Sequence, residues 1–554
     1  MHRHRLPSVL SVVVLCALAG GVFGRAALSA QDQITEQYKV LAAAVSVIEE
    51  QHVGDVESDQ LIYSALNGLM QTLDPHSNFM DPKSYAQTRE RQEGRYYGVG
   101  LSIRVINGDI VVANVIEKAP AHNAGLRRGD ILARIANEDT KGWTTEQAAA
   151  KLKGPKGTRV SISVRREGYE QALPFEVSRD EVHMPTVTAA LMMDAATGYV
   201  KLDTFGENTD REMGAAIDSL VAQGMKRLVF DLRGNPGGAL DQAILVANRF
   251  LPRGAMIVYT RGRVENSAQD YRAQRAPQLQ MPMITLVDRS SASASEIVAG
   301  ALQDHDRSLI VGETTFGKAL VQSVYRVSQG AGAAITTARY FTPSGRLIQR
   351  PWDSSFDEYL TYTSRAQNTD ATHRPEDLKY TDAGRKVYSG GGIDPDRRFE
   401  GPIDGFNPTR FTRTLLAREL FATYARRFTR EGDRRAPART TAPMRDLAED
   451  FTVSDAMVTE FEALVRESPV RFDRAAWASD LDFIKATLQK EIDTDLFGVE
   501  AAYRNLTRRD PQMNFAVTLF GEAQQLLDLS RQPPVRAANT PVASPAGRAV
   551  PAVQ

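Results

Sequence analysis

From Ile34 to about Arg91 the apolar positions Tyr38, Leu41, Val45, Ile48, Leu61, Leu66, Leu69, Met70 and Leu73 recur every three or four residues, the spacing of one helix face. A small helical unit is predicted, closing at Asp74-Pro75-His76-Ser77, where Pro75 and short polar side chains favour a turn. From Arg95 to about Val182 the pattern changes to short β-type runs, Leu101 to Ile106, Ile110 to Ile116 and Val160 to Arg165, with one helical stretch from Thr144 to Leu152. That order suits a small β-barrel capped by a helix. From Gly198 to about Phe399 strand-like runs (Arg227 to Asp231, Met283 to Val287, Leu309 to Val311) alternate with helical ones (Leu240 to Phe250, Ser293 to Asp304), which implies a layered α/β domain. Beyond Pro408 two further helical stripes appear, Leu415, Leu416, Leu420, Tyr424 and Phe428, then Leu481, Ile484, Leu488, Ile492 and Leu496, separated by an Arg/Pro/Thr-rich linker from Thr429 to Pro443. The tail from Gln532 has no period and few charges, so disorder is expected there.

At 554 residues the chain exceeds one hydrophobic core, and several units are required. A formal net charge of -1 argues against nucleic acid as a partner. The first thirty residues differ from the rest: a basic start at His2, Arg3, His4 and Arg5, an apolar run from Val9 to Phe23, then small residues around Ala27, Ser29 and Ala30. This is the three-part form of an export signal, with the mature chain expected near Gln31; retention as a membrane anchor is the alternative. The one cysteine, Cys16, lies inside that run, so cleavage leaves no thiol. That suits an oxidising compartment and removes cysteine nucleophiles and Cys-ligated zinc.

The densest chemical signal is Asp288-Arg-Ser-Ser291-Ala-Ser293-Ala-Ser295-Glu296-Ile297, three alternating serines where an apolar strand ends and a helix begins. A helix N-terminus offers unpaired N–H groups and a positive dipole end, which stabilise an oxyanion; the plainer reading is that the serines cap the helix. Phe316-Gly317-Lys318 with Gln322 is the second signal. On a strand from Ala319 to Val327, Lys318 and Gln322 would share a face, so that the glutamine holds the lysine amine. Lysine is a general base only when neutral, and burial favours that form. Gly312 to Lys318 also matches the phosphate-loop spacing, but Ala319 stands where Ser or Thr must bind magnesium, and the next residues read as strand. A Ser-His-Asp triad with His305 is disfavoured, because eleven residues of helix from Ser293 to Asp304 span about 16 Å. Asp304 and His305 are expected at the surface at the helix C-terminus. Asp231-Leu-Arg-Gly234-Asn-Pro236-Gly237-Gly238 is a glycine-rich turn from strand to helix, where a backbone can approach closely and aim an N–H at an oxyanion. No metal-ligand spacing is present, and neither a metal nor a cofactor is expected.

These pieces, in this order, resemble the carboxy-terminal processing peptidases, or tail-specific proteases. Further matching segments are Leu73 to Ser77, Gly98-Val99-Gly100-Leu101, Pro120 to Asp130, Ala338-Arg-Tyr-Phe-Thr-Pro-Ser-Gly345 and Gly391 to Asp396, so that the likeness runs from about Ile34 to Phe399. Pattern and resemblance together imply a multidomain α+β chain: by pattern, a signal peptide or anchor over 1–30, a helical region over 31–93, a helical extension over 406–531 and a disordered tail over 532–554; by resemblance, a PDZ domain over 94–182 and a peptidase domain of the crotonase/Clp-protease-like type over 183–405. By the same resemblance Ser293 is the nucleophile, Lys318 its general base and Gln322 the residue that positions the lysine, with the amides of Ala294 and of Gly237 or Gly238 as oxyanion hole. Gly98, Val99, Gly100 and Leu101 would take the terminal carboxylate and last side chain of a protein with an apolar C-terminus. An exported serine endopeptidase of the periplasm or cell envelope is expected, homo-oligomeric and with an envelope adaptor or activator among its partners. The rival class is a catalytically idle PDZ adaptor that only tethers protein C-termini. The extension after Pro408 is more than such a core requires, and its local pattern assigns it no role.

Overall fold

The computed structural model describes residues 36–532 apart from 167, 353–358, 360, 365–372, 400–407 and 431–446. The predicted export segment, most of the Arg/Pro/Thr linker and nearly all of the C-terminal tail lie outside the described residues. Two compact units are separable, one made of the chain up to Tyr85 with Gln322–Thr336, the other of Ala86–Val321 with the chain from Thr337 onward.

The first unit holds a helix over 36–51 and the helix Ser58–Gln71, as the periodicity predicts. Its stripe is not buried: Tyr38, Leu41, Ile48, Leu69 and Leu73 are all exposed. The turn that follows is held by Asp74, whose carboxylate accepts the amides of His76 and Ser77, each at 2.8 Å, and the Ser77 hydroxyl at 2.7 Å. Burial opposes ionisation there, but these donors keep the Asp74 carboxyl below its ordinary range. The strand Asn78–Met80 then pairs antiparallel with Ala334, Ala333 and Gly332.

In the second unit, the strands Leu101–Ile106, Asp109–Val115, Ile131–Ile135, Arg159–Arg165 and Leu173–Ser178 form one antiparallel sheet in that order, and the helix Thr145–Leu152 packs on it. Thr144 caps that helix in a reciprocal box with Gln147. The periodicity found three of these strands and the helix. It missed Ile131–Ile135 and Leu173–Ser178, which are short and interrupted by charged or proline residues.

The α/β part is a six-stranded sheet in the order Val187–Met192, Thr197–Leu202, Arg227–Asp231, Met283–Val287, Leu309–Gly312, Arg397–Arg398, parallel except for its first pair. The helices Thr209–Ala222, Leu240–Asn248 and Ala294–Asp304 supply the largest apolar cluster with one face. A mostly parallel sheet must be covered on both faces, and the C-terminal extension covers the other. Met513, Ala516, Phe520, Ala523 and Leu526, from the helices Pro511–Thr518 and Phe520–Ser530, cluster with Leu191, Tyr199, Val229, Ile284, Leu286 and Val311. Gln512 donates to the carbonyls of Val287 and Val311, and Asp510 pairs with Arg233 at 2.6 Å.

The extension also reaches the antiparallel sheet domain. Arg128 pairs with both Glu491 and Asp495 of the helix Leu481–Leu496, and Arg104 pairs with Glu419 at 2.6 Å. Thus the segment whose local pattern assigns it no role is the second layer of the α/β sheet and a brace on the neighbouring domain. Truncating Phe520 to alanine removes a ring that packs on the sheet and lies 4.5 Å from the Arg227 guanidinium. Such a change is expected to cost about 3–5 kcal/mol in denaturant unfolding, whereas Leu529→Ala, on an exposed side chain, should cost little.

Candidate active site

The strand Met283–Val287 ends in a turn built on Asp288, whose Oδ1 accepts the amides of Gly234, Ser290 and Ser291, each at 3.0 Å. The three serines are then distinguished by what they bond. Ser291 is fully buried and its hydroxyl donates to the Leu232 carbonyl at 2.9 Å. Ser295 is equally buried and donates to the Asn235 carbonyl at 3.0 Å. Ser293 is half-buried and sits at the N-cap of the helix Ala294–Asp304 with φ 53 and ψ -111. A positive φ at a residue with a Cβ is strained, and such strain persists only where the surroundings over-determine it.

The glycine-rich turn lies directly against this residue. A Cβ on Gly237, whose φ is 99, would fall 2.8 Å from the Ser293 Cβ and 2.9 Å from the Ala294 nitrogen, so only glycine fits. Gly237 donates its amide to Asn235 Oδ1 at 2.9 Å. Among the described residues, the amides of Gly238 and Ala294 meet no acceptor. Asn235 fixes the turn to both neighbours: its carbonyl also accepts the Ala292 amide at 3.0 Å, and its side-chain amide donates to Leu202 at 2.8 Å. Beneath it, buried Asp231 binds Arg233 at 2.7 Å and the Tyr199 hydroxyl at 2.8 Å. Burial opposes its ionisation, but the charges of Arg233 and Lys201 win and hold the Asp231 carboxyl far below the usual range.

Lys318 is half-buried on the loop between the strands Leu309–Gly312 and Leu320–Arg326. The latter runs from Leu320 to Arg326, one residue shorter at each end than the predicted strand from Ala319 to Val327, and Lys318 stands just ahead of it. Because a strand and no helix follows, no helix N-terminus is offered to a phosphate. Arg350 pins the loop through the carbonyls of Phe316 and Thr315 at 2.8 and 3.2 Å. Glu296, fully buried one turn into the helix, joins Lys318 to Ser293. Its Oε2 accepts the Ser293 amide at 2.8 Å and the Lys318 amide at 2.9 Å, while Oε1 accepts the Gly317 amide at 2.7 Å and the Thr315 hydroxyl at 2.5 Å. Burial nevertheless pushes its carboxyl up to about 7, against the pull of these donors. Sequence reading missed this role, although Ser293 followed by Glu296 is the Ser-x-x-Glu spacing of a capping box. Gln322 belongs to the first unit, where its amide donates to the His76 carbonyl at 2.6 Å.

His305 is a structural residue at the far end of the helix, bonded to Asp382 at 2.7 Å and to the Met256 carbonyl at 2.6 Å. The expectation that this end is surface is corrected: Asp304 is buried and paired with Arg346 at 2.5 Å, because loops from the rest of the domain cover it. No group of acidic or histidine side chains that could hold a metal occurs among the described residues.

In the antiparallel domain, Gly98, Val99 and Gly100 lead into Leu101, which lines a cavity of about 420 Å³ with Val99, Ile103, Ile116, Ala149 and Leu152. The carbonyls of Val99 and Gly100 accept the amides of Ala121 and Ile116 at 2.8 and 3.0 Å. The amides of Gly100 and Leu101 face the Tyr96 hydroxyl, a phenol that burial pushes up to about 12. Lys153 lies 5.1 Å over the Tyr96 ring and pairs with Glu90.

Three family models match parts of the chain. Peptidase family S41 matches residues 196–352, the PDZ domain residues 111–166, and the N-terminal domain of the activating protease CtpB residues 24–84. The class is therefore a serine-type peptidase with an attached PDZ domain. The carboxy-terminal-processing protease of Bartonella bacilliformis is 38% identical over 320 residues, 56% of this chain and 73% of that protein. The carboxy-terminal processing protease CtpA of Bacillus subtilis is 30% identical over 346 residues, 62% of this chain and 74% of the relative. Among solved structures, the photosystem II D1 C-terminal processing protease is 28% identical, covering 64% of this chain and 85% of its own, with a TM-score of 0.33. On this similarity to its relatives, the chain belongs to the carboxy-terminal processing protease family.

Proposed function

We propose that the chain is an exported endopeptidase in which Ser293 attacks the scissile carbonyl and Lys318, as a neutral amine, takes the hydroxyl proton and returns it to the leaving amine. The observation that carries this reading is the shared Glu296 oxygen, which holds the backbones of a strained serine at a helix N-terminus and of the lysine together. The Ala294 amide and the Gly238 amide, rather than that of Gly237, are the oxyanion donors, because the Gly237 amide is already given to Asn235. In the PDZ domain an apolar C-terminal side chain enters the cavity beside Leu101, and the terminal carboxylate takes the amides of the Gly98–Leu101 loop. No cofactor takes part. The basic and apolar start of the chain supports export to the periplasm or cell envelope, where a homo-oligomer and an envelope adaptor or activator are the partners expected.

Three measurements test the reading. Ser293→Ala and Lys318→Ala should each lower kcat by about 10³-fold or more with Tm unchanged, and the double variant should be no worse than either single one. Retention of activity by Ser293→Ala, with loss in Ser291→Ala or Ser295→Ala, would assign the nucleophile elsewhere. For recognition, amidating the C-terminus of an apolar-tailed peptide should weaken binding at least tenfold, since charge-assisted hydrogen bonds are lost, and Leu101→Asp should weaken the free acid similarly. Equal binding of both peptides would remove C-terminal reading from the proposal. For export, Edman sequencing of the protein from the envelope fraction should begin near Gln31; recovery from the cytoplasm with Met1 intact would contradict it.

A further inference from the structure

The backbones of the two residues of the proposed dyad are joined a second time, through their carbonyls. Tyr340, from the strand Gly332–Phe341, points its hydroxyl at the Ser293 carbonyl at 3.1 Å and at the Lys318 carbonyl at 2.8 Å. Its ring is buried in the main apolar cluster, and its own amide donates to the Ala319 carbonyl at 3.0 Å. Glu296 therefore accepts the N–H of Ser293 and of Lys318, and Tyr340 donates toward the C=O of each.

A phenol carries one proton, so the two carbonyls share it. Their distance from one oxygen fixes how far the turn and the loop can separate. Ser293 and Lys318 lie on segments 25 positions apart in sequence, and Ser293 holds a strained, positive-φ backbone conformation. A dyad of this kind works only when nucleophile and base lie within hydrogen-bond reach, and a displacement of about 1 Å can cost 10²-fold in rate. Burial keeps the Tyr340 phenol protonated, and Glu296 nearby adds to this, so the donor persists at any pH an assay would use.

We propose that Tyr340 is a positioning residue for the peptidase reaction, its hydroxyl holding Ser293 and Lys318 in register from the carbonyl side as Glu296 does from the amide side. This rests on the reading of Ser293 and Lys318 as the dyad. Tyr340 acts through these two backbones, and its contribution therefore lies in kcat, whereas recognition of the substrate by the PDZ domain is left alone.

The test is Tyr340→Phe in the full-length protein, a change that keeps the buried ring and deletes one oxygen. Expected are a fall in kcat of about 10–100-fold, KM within twofold, unchanged binding of an apolar-tailed peptide, and a Tm lowered by no more than about 2–4 °C. The rate at which a fluorophosphonate labels Ser293 should fall in parallel with kcat. On a Lys318→Ala background the same change should slow labelling no further, because the hydroxyl then has no base left to position. A kcat within twofold of wild type would overturn the proposal. So would an equal slowing on both backgrounds, or a collapse of Tm, since either marks a general packing role. Failure of the dyad itself is read separately, as activity surviving in Ser293→Ala or Lys318→Ala.

Discussion

A carboxylate without access to water is tolerated only when its lone pairs are filled, and Glu296 is such a group. It has four donors, of which three are backbone amides and one is the Thr315 hydroxyl. Three of the four come from the loop that carries Lys318, and the fourth comes from Ser293. The penalty of leaving any of these groups unpaired in the interior therefore binds the helix N-terminus to that loop. The strained φ of Ser293, the glycine that must lie against it and the position of Lys318 all follow from this closure. A capping box elsewhere in the chain, at Thr144 and Gln147, satisfies only its own helix. Here the same local motif has been turned outward to receive a second segment.

What keeps that closure rigid is the sheet beneath it. Ser293 and the glycine-rich turn both stand at the C-terminal ends of neighbouring parallel strands, Met283–Val287 and Arg227–Asp231. Parallel strands with both faces dry need cover on each side, and here the second cover comes from helices more than a hundred residues further along the chain. Asp510 and Arg233 tie that layer to the buried Asp231 under the turn. The extension thus reaches the underside of the glycine-rich turn through one continuous set of ion pairs, and the pairs from Arg128 to Glu491 and Asp495 carry it to the PDZ domain.

Several parts of this were legible without coordinates because they depend on local rules. The three-serine run before a helix, the glycine-rich turn after a strand, the change from helical to alternating periodicity and back, and the refusal of Ala319 to complete a phosphate loop are all set by near neighbours. The turn at Asp74 is of the same kind, since its donors lie within three residues.

Sequence alone thus determined most of the helices and the longer strands, which serine run could supply a nucleophile, and that the chain resembles a family of C-terminal processing peptidases. It could not choose among Ser291, Ser293 and Ser295 from their chemistry, because all three are serines at alternate positions. Tertiary structure separated them: the carbonyls of Leu232 and Asn235, some sixty residues away, take the outer two hydroxyls. It also decided which glycine amide is already spent, that Asp304 is buried and His305 half-buried, and that the helical extension is the second face of the peptidase sheet. Tyr340 and Glu296 acquire their roles in the same way. The physical reason is common to all of these: a periodicity records how a residue relates to positions three or four away, whereas the partner that fills a buried lone pair is chosen by which distant segment the fold brings within 3 Å.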